Sequence, residues 1–544
     1  MLTYRTPGAY FDWLDGRPPV IAPLRTDVAG FVGLAERGPV HEAVRVESWS
    51  QFTATFGGFI GQGYLAYAVE GFFGNGGRTC WIVRAADPAT ARPAWLELSD
   101  GGGRAVLRLE AGSPGAWGRG LEVRLVHRDL QRFDLSVIGP GAISELWRGL
   151  TIDTVEAVVN GPGGSRVIVA RDLRTVRTND DRPAMAGPLF LDGGADGIDS
   201  VQPFHLTGLV PAGLAVEDGP YGLEVLAGIE DVSIVAIPDA SGMDRPTPRI
   251  RPAEVPDCDR LAAPTPIAPR PSDSTEFPVA LQGEGPRMQA ALIAHCERLR
   301  DRVAILDSPS RSGDLSQVLE LQGLDSAYAA LYYPWLKVSD HLELDGSLRE
   351  IPPCGHVAGI YARGDVRIGV HKPPANERLS GARDVTAVVD DAGHADLNDA
   401  GVNVIRAYQG RGIRVFGART RSADPDWRYV NVRRLLIMIE RAIEEQCQWI
   451  VFEPNDQNLW RDVDRVVRSF VDRLWRLGML DGATAEEAYF VRCDETTNPP
   501  DETDLGRLTC LVGVQPPWPA EFVVARIRKT EGQIETLDWG RRDV

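Results

Sequence analysis

Glu453 and Asp456, in FEPND, come nearest in this chain to a working pair of carboxylates. Two acids at such spacing could divide general acid and base roles or hold a divalent cation. The segment lacks the regularly spaced oxygen ligands of a calcium loop and has no histidine, so Asn455 and Asp456 are read instead as turn formers that cap the next helix. Asp494 and Glu495, in CDETTNPP, offer oxygens in the same way, and Asn498 before two prolines reads as turn chemistry. His371 is the other candidate base, but the prolines of HKPPANE enforce an extended turn, which suits a structural or interface loop. His295 and Cys296 are neighbours on an expected helix and point about 100° apart, so they do not face each other as a Cys–His pair. GGFIGQG (57–63), GNGGR (74–78) and YQGRGIRVFG (408–417) are glycine-rich, yet none reads GxxxxGK[ST] and none places GxGxxG between a strand and a helix, so turns are expected. The seven cysteines, at 80, 258, 296, 354, 447, 493 and 510, are odd in number, scattered and without a CxxC, which reads as reduced thiols rather than a disulfide scaffold or zinc site. No catalytic residue, metal ligand or cofactor site is assigned. An α/β hydrolase using Glu453 or His371 remains the enzyme alternative.

The elements that would position these groups are α/β in pattern. VAGFVGL (28–34) is a short apolar run ending at ERGP, hence a buried strand and turn. Ser50–Phe56 and Tyr64–Phe73 read as helices, and Cys80–Ala85 as a strand. From about 87 to 210 the pattern changes to alternating segments, AVLRLEA, LEVRLVH and RFDLSVI, divided by Gly and Pro turns, which predicts a β-rich insertion. SIVAIP then reads as a strand covered on both faces. Pro238–Pro278 is too rich in proline for helix or central strand and predicts a long surface loop. MQAALIAHCERLRDR and VAILD follow as helix and strand, and Asn431–Phe452 predicts a long helix running into a short apolar strand. A mostly parallel or mixed sheet with flanking helices fits this order.

With 544 residues the chain has length for roughly three or four domains. Its 43% hydrophobic and 25% charged residues are ordinary for globular proteins. A net charge of -18 opposes a general role in binding nucleic acid or anionic membranes, both of which call for basic surface. The cations are almost all arginine, with lysine only at 337, 372 and 529; genome composition is the first explanation, and arginine's planar multi-donor contacts at interfaces the second. The N-terminus has no basic region followed by an apolar run, and no segment approaches the roughly 20 apolar residues of a membrane span. Any release from the cell is expected by another route, such as lysis.

One helix stands out, NLWRDVDRVVRSFVDRLWRL (458–477). Val463, Val467, Phe470, Leu474 and Leu477 advance in steps of three and four as a core-facing stripe. Arg461, Arg465, Arg468 and Arg476 form a row on another face. Two readings stay open for that row: contact with an anionic partner, or a solvated face whose arginines pair with Asp462, Asp464 and Asp472. The chain ends form a second feature. PGAYFDW carries Pro7, Tyr10 and Trp13, and the last segment carries Val523, Ile527, Ile534, Leu537 and Trp539. PGAYFDWLDGRPPVIAP combines aromatics with edge-forming prolines, EFVVARIRK (521–529) has strand composition, and TEGQIETLDWGRRDV after it is a polar tail with little material for a core; such ends suit arms that add to a neighbour's sheet edge.

The segment NVRRLLIMIERAIEEQCQWIVFEPNDQNLW (431–460) resembles the signature of the contractile tail sheath family. TPGAYFDWLDGRPP, VAGFVGLAERGPVHEAVRVESWSQFTATFGGF, YLAYAVEGFFGNGGRTCWIVR, SPGAWGRGLEVRL, LAGIEDVSIVAIPD, ALIAHCERLRDRVAILDSP, GVHKPPANE and RCDETTNPP are similar to further sheath segments, in the same order, from near residue 6 to near residue 530. The resemblance implies a non-enzymatic subunit that polymerises helically around an inner tube and contracts to drive it through a target envelope. It implies an inner α/β domain built from N- and C-terminal segments, with an arm at 1–27, inner-domain segments at 28–86 and 361–527, an outer insertion at 87–210, a middle α/β domain at 211–360 and an arm at 528–544. The arms interlock copies, the arginine row faces the tube, and the further partners are baseplate and tail terminator or cap proteins. Nucleic acid and direct membrane insertion are not implied. Assembly in the bacterial cytoplasm would precede incorporation into a phage tail or a phage-tail-like particle, intracellular or released by lysis. A non-contractile tube or shell subunit is the structural alternative.

Overall fold

The computed structural model describes residues 21–140, 143–174, 182–185, 187–211, 213, 219–240, 278–309, 318, 324–343, 346–451 and 453–519, and the backbone of 524–530 and 533–540. The chain divides into two compact units, one of Arg25–Arg434 and one of Met1–Leu24 with Leu435–Val544.

The first unit opens with β1 (Ala29–Gly33), β2 (Ala43–Val46), α1 (Trp49–Phe56), α2 (Leu65–Gly74) and β3 (Cys80–Arg84). Ser48 starts α1 by accepting the Gln51 N–H, and Gly57 at φ 84° ends it, the conformation a residue without Cβ adopts at least cost. The insertion follows, with β4 (Arg92–Ser99), β5 (Ala105–Ala111), β6 (Glu122–His127), β7 (Phe133–Gly139), β8 (Ile143–Leu150), α3 (Val155–Asn160), β9 (Ile168–Asp172), β10 (Leu189–Phe190) and β11 (Asp192–Ala195). Its strands form two four-stranded sheets, β10-β6-β7-β8 and β11-β4-β5-β9. The alternate residues the sequence marks as inward, among them Leu107 and Leu109 of one sheet and Val123, Leu125, Leu135 and Val137 of the other, share one core with Val155 and Val159 of α3.

The chain then returns through α4 (Pro203–Thr207), α5 (Leu223–Leu226), β12 (Ile234–Ala236), α6 (Gly285–Leu299), β13 (Val303–Asp307), β14 (Ala329–Tyr333), β15 (Leu336–Ser339), β16 (Leu348–Ile351), α7 (Cys354–Arg367), β17 (Glu377–Arg378), β18 (Asp384–Val385), α8 (Asp391–Asp399), β19 (Val402–Tyr408), β20 (Gly412–Phe416) and the first turn of α9 (Val430–Gln446). Nine strands make the main sheet, in the order β17-β20-β19-β14-β13-β12-β1-β3-β2. The six strands from β19 to β3 run parallel, and the edges are extended by antiparallel pairing, β20 on β19, β17 on β20 and β2 on β3. β1, β12, β13 and β14 are buried throughout, as continuous apolar strands covered on both faces must be. β15, β16 and β18 form a small separate sheet. Most of the expected Pro238–Pro278 loop lies outside the described residues; Pro238–Ala240 and Val279–Leu281 at its ends are single 3₁₀ turns.

Two buried carboxylates at the ends of parallel strands hold helices onto this sheet. Asp239, after β12, accepts the Leu34 N–H at 2.7 Å and the Tyr64 N–H at 2.5 Å, the latter at the start of α2. Asp307, at the end of β13, accepts the Cys354 N–H at 2.9 Å, at the start of α7. Burial pushes their pKa values up to about 6 and about 7, against the opposing pull of these N–H donors. α2 and α7 meet closely because glycine lines the contact: a Cβ on Gly355 would lie 2.1 Å from the Ala68 carbonyl oxygen.

Arg84 fastens the insertion to the sheet. Its side chain is fully buried, and its Nη1 donates to the carbonyls of Gly38 (2.9 Å) and Pro114 (2.8 Å). Ser113 accepts the Gly38 N–H, and Asp196 accepts that of Ala116. The SPGAWG segment thus forms the collar of this junction.

In the second unit, the remainder of α9 is followed by α10 (Gln457–Arg476), α11 (Ala485–Ala488), β21 (Tyr489–Arg492), α12 (Pro500–Thr503), β22 (Leu511–Val514), β23 (Val524–Thr530) and β24 (Gln533–Gly540). One expectation fails here. The apolar run after α9 is not a strand over Trp449–Val451: Gln448–Ile450 is a 3₁₀ turn, Val451 is exposed, and Phe452 lies outside the described residues. Its backbone bonds are local, from Ile450 to Cys447 and from Val451 to Gln448, and so short an apolar run carries no periodicity that separates strand from turn.

Candidate assembly surface

α10 is set by its cap and its stripe. Asp456 accepts the N–H groups of Asn458 (2.8 Å) and Leu459 (3.0 Å), while Asn455 accepts the Trp460 indole N–H. Leu459, Trp460, Val463, Val466, Val467, Phe470, Val471 and Leu474 are buried. Leu477, expected to complete this stripe, is 61% exposed. It follows the last helical residue, where Gly478 turns the chain at φ 73°, so the helical spacing no longer directs it inward.

The arginine row on the other face is largely occupied within its own unit. Arg465 pairs with Asp462 at 2.7 Å, Arg468 with Asp464 at 2.9 Å and Arg476 with Asp472 at 2.8 Å. Arg468 also donates to the Val491 carbonyl, and Tyr489 donates its hydroxyl to Asp472. Arg461 donates to the Gln457 carbonyl and to Asn458 Oδ1. The row is therefore a lattice of alternating charge, with the ion pairs at the i,i+3 and i,i+4 spacings of a helix surface. Such exposed pairs contribute about 0–1 kcal/mol each, so exchanging them for a partner's acids costs little.

Residues that sequence reading passed over hold the root of the N-terminal segment. Gln446, at the end of α9, makes two 2.7 Å bonds to Ala22: its Oε1 accepts the Ala22 N–H and its Nε2 donates to the Ala22 carbonyl. Arg473 of α10 donates to the Ile21 carbonyl, and Ile21 is buried. No local signal marks a pairing between residues 424 positions apart. Pro7, Tyr10 and Trp13 lie outside the described residues, as does Val523. Ile527 lies in β23, and Ile534, Leu537 and Trp539 in β24. These strands pair antiparallel with each other, Val524 opposite Gly540 and Thr530 opposite Gln533, with a register shift between Arg526 and Ile527. The expected polar tail thus forms the second strand of a hairpin, and the two make a separate two-stranded sheet among the described residues.

The groups that imitate catalytic machinery have structural neighbours. The His371 carbonyl accepts from Asn431 at 2.9 Å, and burial holds the imidazole pKa below its ordinary value. In the same loop Lys372 pairs with Glu377 at 2.6 Å. His295 points at Glu224 (3.4 Å), and Cys296 is buried with its pKa pushed up by desolvation. Asp494 accepts the backbone N–H and hydroxyl of Thr496, closing a turn. Gly410 and Gly412 take positive φ between β19 and β20. Among the described residues no cluster of three His, Cys, Asp or Glu side chains could hold a metal ion, and no helix is long and apolar enough to cross a membrane.

Comparison with known proteins places this geometry. Residues 278–421 match the phage tail sheath protein central domain, and residues 422–530 the phage tail sheath C-terminal domain. The tail sheath protein of Salmonella phage ViI is 26% identical over 204 residues, 37% of this chain and 31% of that protein. The tail sheath protein of Burkholderia phage BcepMu is 29% identical over 221 residues, 39% of this chain and 44% of that protein. The matches thus span less than half the length of either relative. Among solved structures, the sheath of an extracellular contractile injection system, in its contracted state, superposes with a TM-score of 0.56 at 19% identity, covering 97% of this chain and 99% of the other. At that identity the likeness is one of fold.

Proposed function

Because the chain belongs to the phage tail sheath family, we propose that it is the structural subunit of a contractile sheath, in a phage tail or a phage-tail-like injection system. The unbroken succession of central and C-terminal sheath domains from residue 278 to residue 530 carries this reading. Identical copies wind helically around an inner tube through head-to-tail contacts whose rotation does not close. The array assembles in the bacterial cytoplasm between a baseplate and a terminator. The terminal segments link copies by main-chain hydrogen bonds, which lets subunit bodies rotate while the mesh holds. The unit of residues 1–24 and 435–544 faces the tube, with Arg461, Arg465, Arg468 and Arg476 meeting acidic groups there.

The chain acts without catalysis. The extended array is trapped by the order of its assembly, and release lets the subunits repack into a shorter, wider lattice. A gain of about 1 kcal/mol per subunit, the scale of a single net contact, sums over the array to the work that moves the tube. Negative-stain electron microscopy of the purified chain tests the premise: hollow, striated helical tubes are expected, and uniform small particles at every salt concentration would contradict it.

A further inference from the structure

Two of the chain's scattered cysteines meet in the fold. β21 and β22 run antiparallel with Val491 opposite Val512 and Arg492 opposite Leu511, and the same register continued one step past the strand ends sets Cys493 opposite Cys510. The Gln515 N–H donates to the Ala488 carbonyl at 2.8 Å, which makes 488 and 515 a hydrogen-bonded pair of the ladder. Counting along the alternation puts Cys493 and Cys510 at a non-hydrogen-bonded position, where facing Cα atoms stand about 4.5 Å apart and side chains approach most closely. A disulfide spans Cα separations of about 4.4–6.8 Å. Val491 and Cys493 are both buried, so the two cysteines belong to the inward face of the ladder.

The loop they flank is already closed at its neck. Asn498, buried at 2% exposure, donates its Nδ2 to the Thr509 carbonyl (3.0 Å) and accepts the Thr509 N–H at Oδ1 (2.6 Å). Asn498 also lies 3.8 Å from Cys493 Sγ. Joining the sulfurs therefore orders nothing that is not ordered before. Cys510 is half-buried and within reach of a small reagent, whereas Cys80, Cys296 and Cys354 are buried.

We propose that Cys493 and Cys510 are an oxidisable dithiol site, closed to a disulfide by a small disulfide oxidant of the oxidised-glutathione class. One of the two thiols, as thiolate, forms a mixed disulfide with one half of the oxidant and releases the other half as a thiol. The second protein sulfur then displaces the bound half, so two protein thiols become one S–S bond and one glutathione disulfide becomes two thiols. The bond ties β21 to β22 and closes residues 494–509 into a loop, in the unit that also carries β23 and β24.

The full-length chain, incubated with oxidised glutathione, alkylated and digested, tests this by peptide mass mapping. The expected product is a Cys493–Cys510 cross-linked peptide, two hydrogens lighter than its reduced parts, in most molecules. Its formation raises the thermal midpoint by about 5 °C, and dithiothreitol reverses both changes. Cys510→Ser loses the cross-link and Cys447→Ser keeps it; should Cys510→Ser fail to fold, the reversal in the unaltered chain still decides. A lasting glutathione adduct on Cys510, a Cys447–Cys510 bond, or both thiols remaining open to alkylation would overturn the proposal. Cys447 is the competitor to watch, since it lies half-buried and close enough to influence Cys510.

Discussion

The two units of this chain are stabilised by different means. In Arg25–Arg434, four of the six parallel strands are buried throughout, helices are held to strand ends by buried Asp239 and Asp307, and the two-sheet insertion has its own core. In the other unit the sheets among the described residues are two strands wide, one helix supplies most of the apolar stripe, and the root of the N-terminal segment is attached through Gln446 and Arg473. A two-stranded ribbon is marginal in water by itself. The comparison teaches a contrast: one unit is built around a wide, largely buried sheet, while the strand edges described in the other are the ones the proposed assembly would extend.

Removing the chain ends should separate the two units most sharply. Deleting residues 1–20, or residues 528–544, is expected to abolish polymerisation while leaving a folded monomer by circular dichroism and gel filtration. Normal tubes from both truncations would end the arm reading. A change in the wide-sheet unit should instead act on folding. Gly355→Val places a side chain against the Ala68 backbone, and a loss of about 3 kcal/mol or more is expected in chemical denaturation.

The buried carboxylates allow a subtler comparison. Burial raises the Asp307 pKa from 3.8 to about 7, so between those values the folded chain holds a proton that the unfolded chain has released. Its stabilising contribution is complete below the lower value and lost as pH rises through the higher one. Asparagine has no such charge to bury. The stability difference between Asp307→Asn and the parent should therefore move in the variant's favour by about 4 kcal/mol from about pH 4 to pH 8, and a difference constant with pH would show that this carboxylate is not the cause.

Gln446→Ala removes both bonds to Ala22 and should cost about 1 kcal/mol, visible as faster amide exchange at Ala22 with the main sheet unaffected. The smallest stability change is expected from reversing Arg461, Arg465 and Arg468 to Glu together. Their exposed contacts contribute little to folding, so the thermal midpoint should move by only a few degrees, while tube-bound assembly weakens. Unchanged assembly on the tube would leave the row as a solvated face.

What the sequence made legible follows from which forces are local. The continuous apolar runs of β1, β12 and β13 and the alternation of β5, β6 and β7 register burial directly in residue order, and Asp456 caps its helix from the adjacent position. The strand expected at Trp449–Val451 failed because so short an apolar run carries no period, and Leu477 because the helix ends before it. The arginine row left two readings open, since spacing alone permits both an external partner and Asp462, Asp464 and Asp472; the isolated fold forms the second set. Gln446 with Ala22, and Cys493 with Cys510, depend on how distant segments return to one another, which no local pattern encodes.

The central claim is that a stable body and extendable ends make a lattice with two states. Cryo-electron microscopy of the assembled particle before and after release tests it most directly. The account predicts two helical lattices, the second shorter and wider, with the Arg25–Arg434 fold unchanged and the terminal strands still joined between copies. A single lattice before and after release, or subunits joined without their terminal segments, would contradict it.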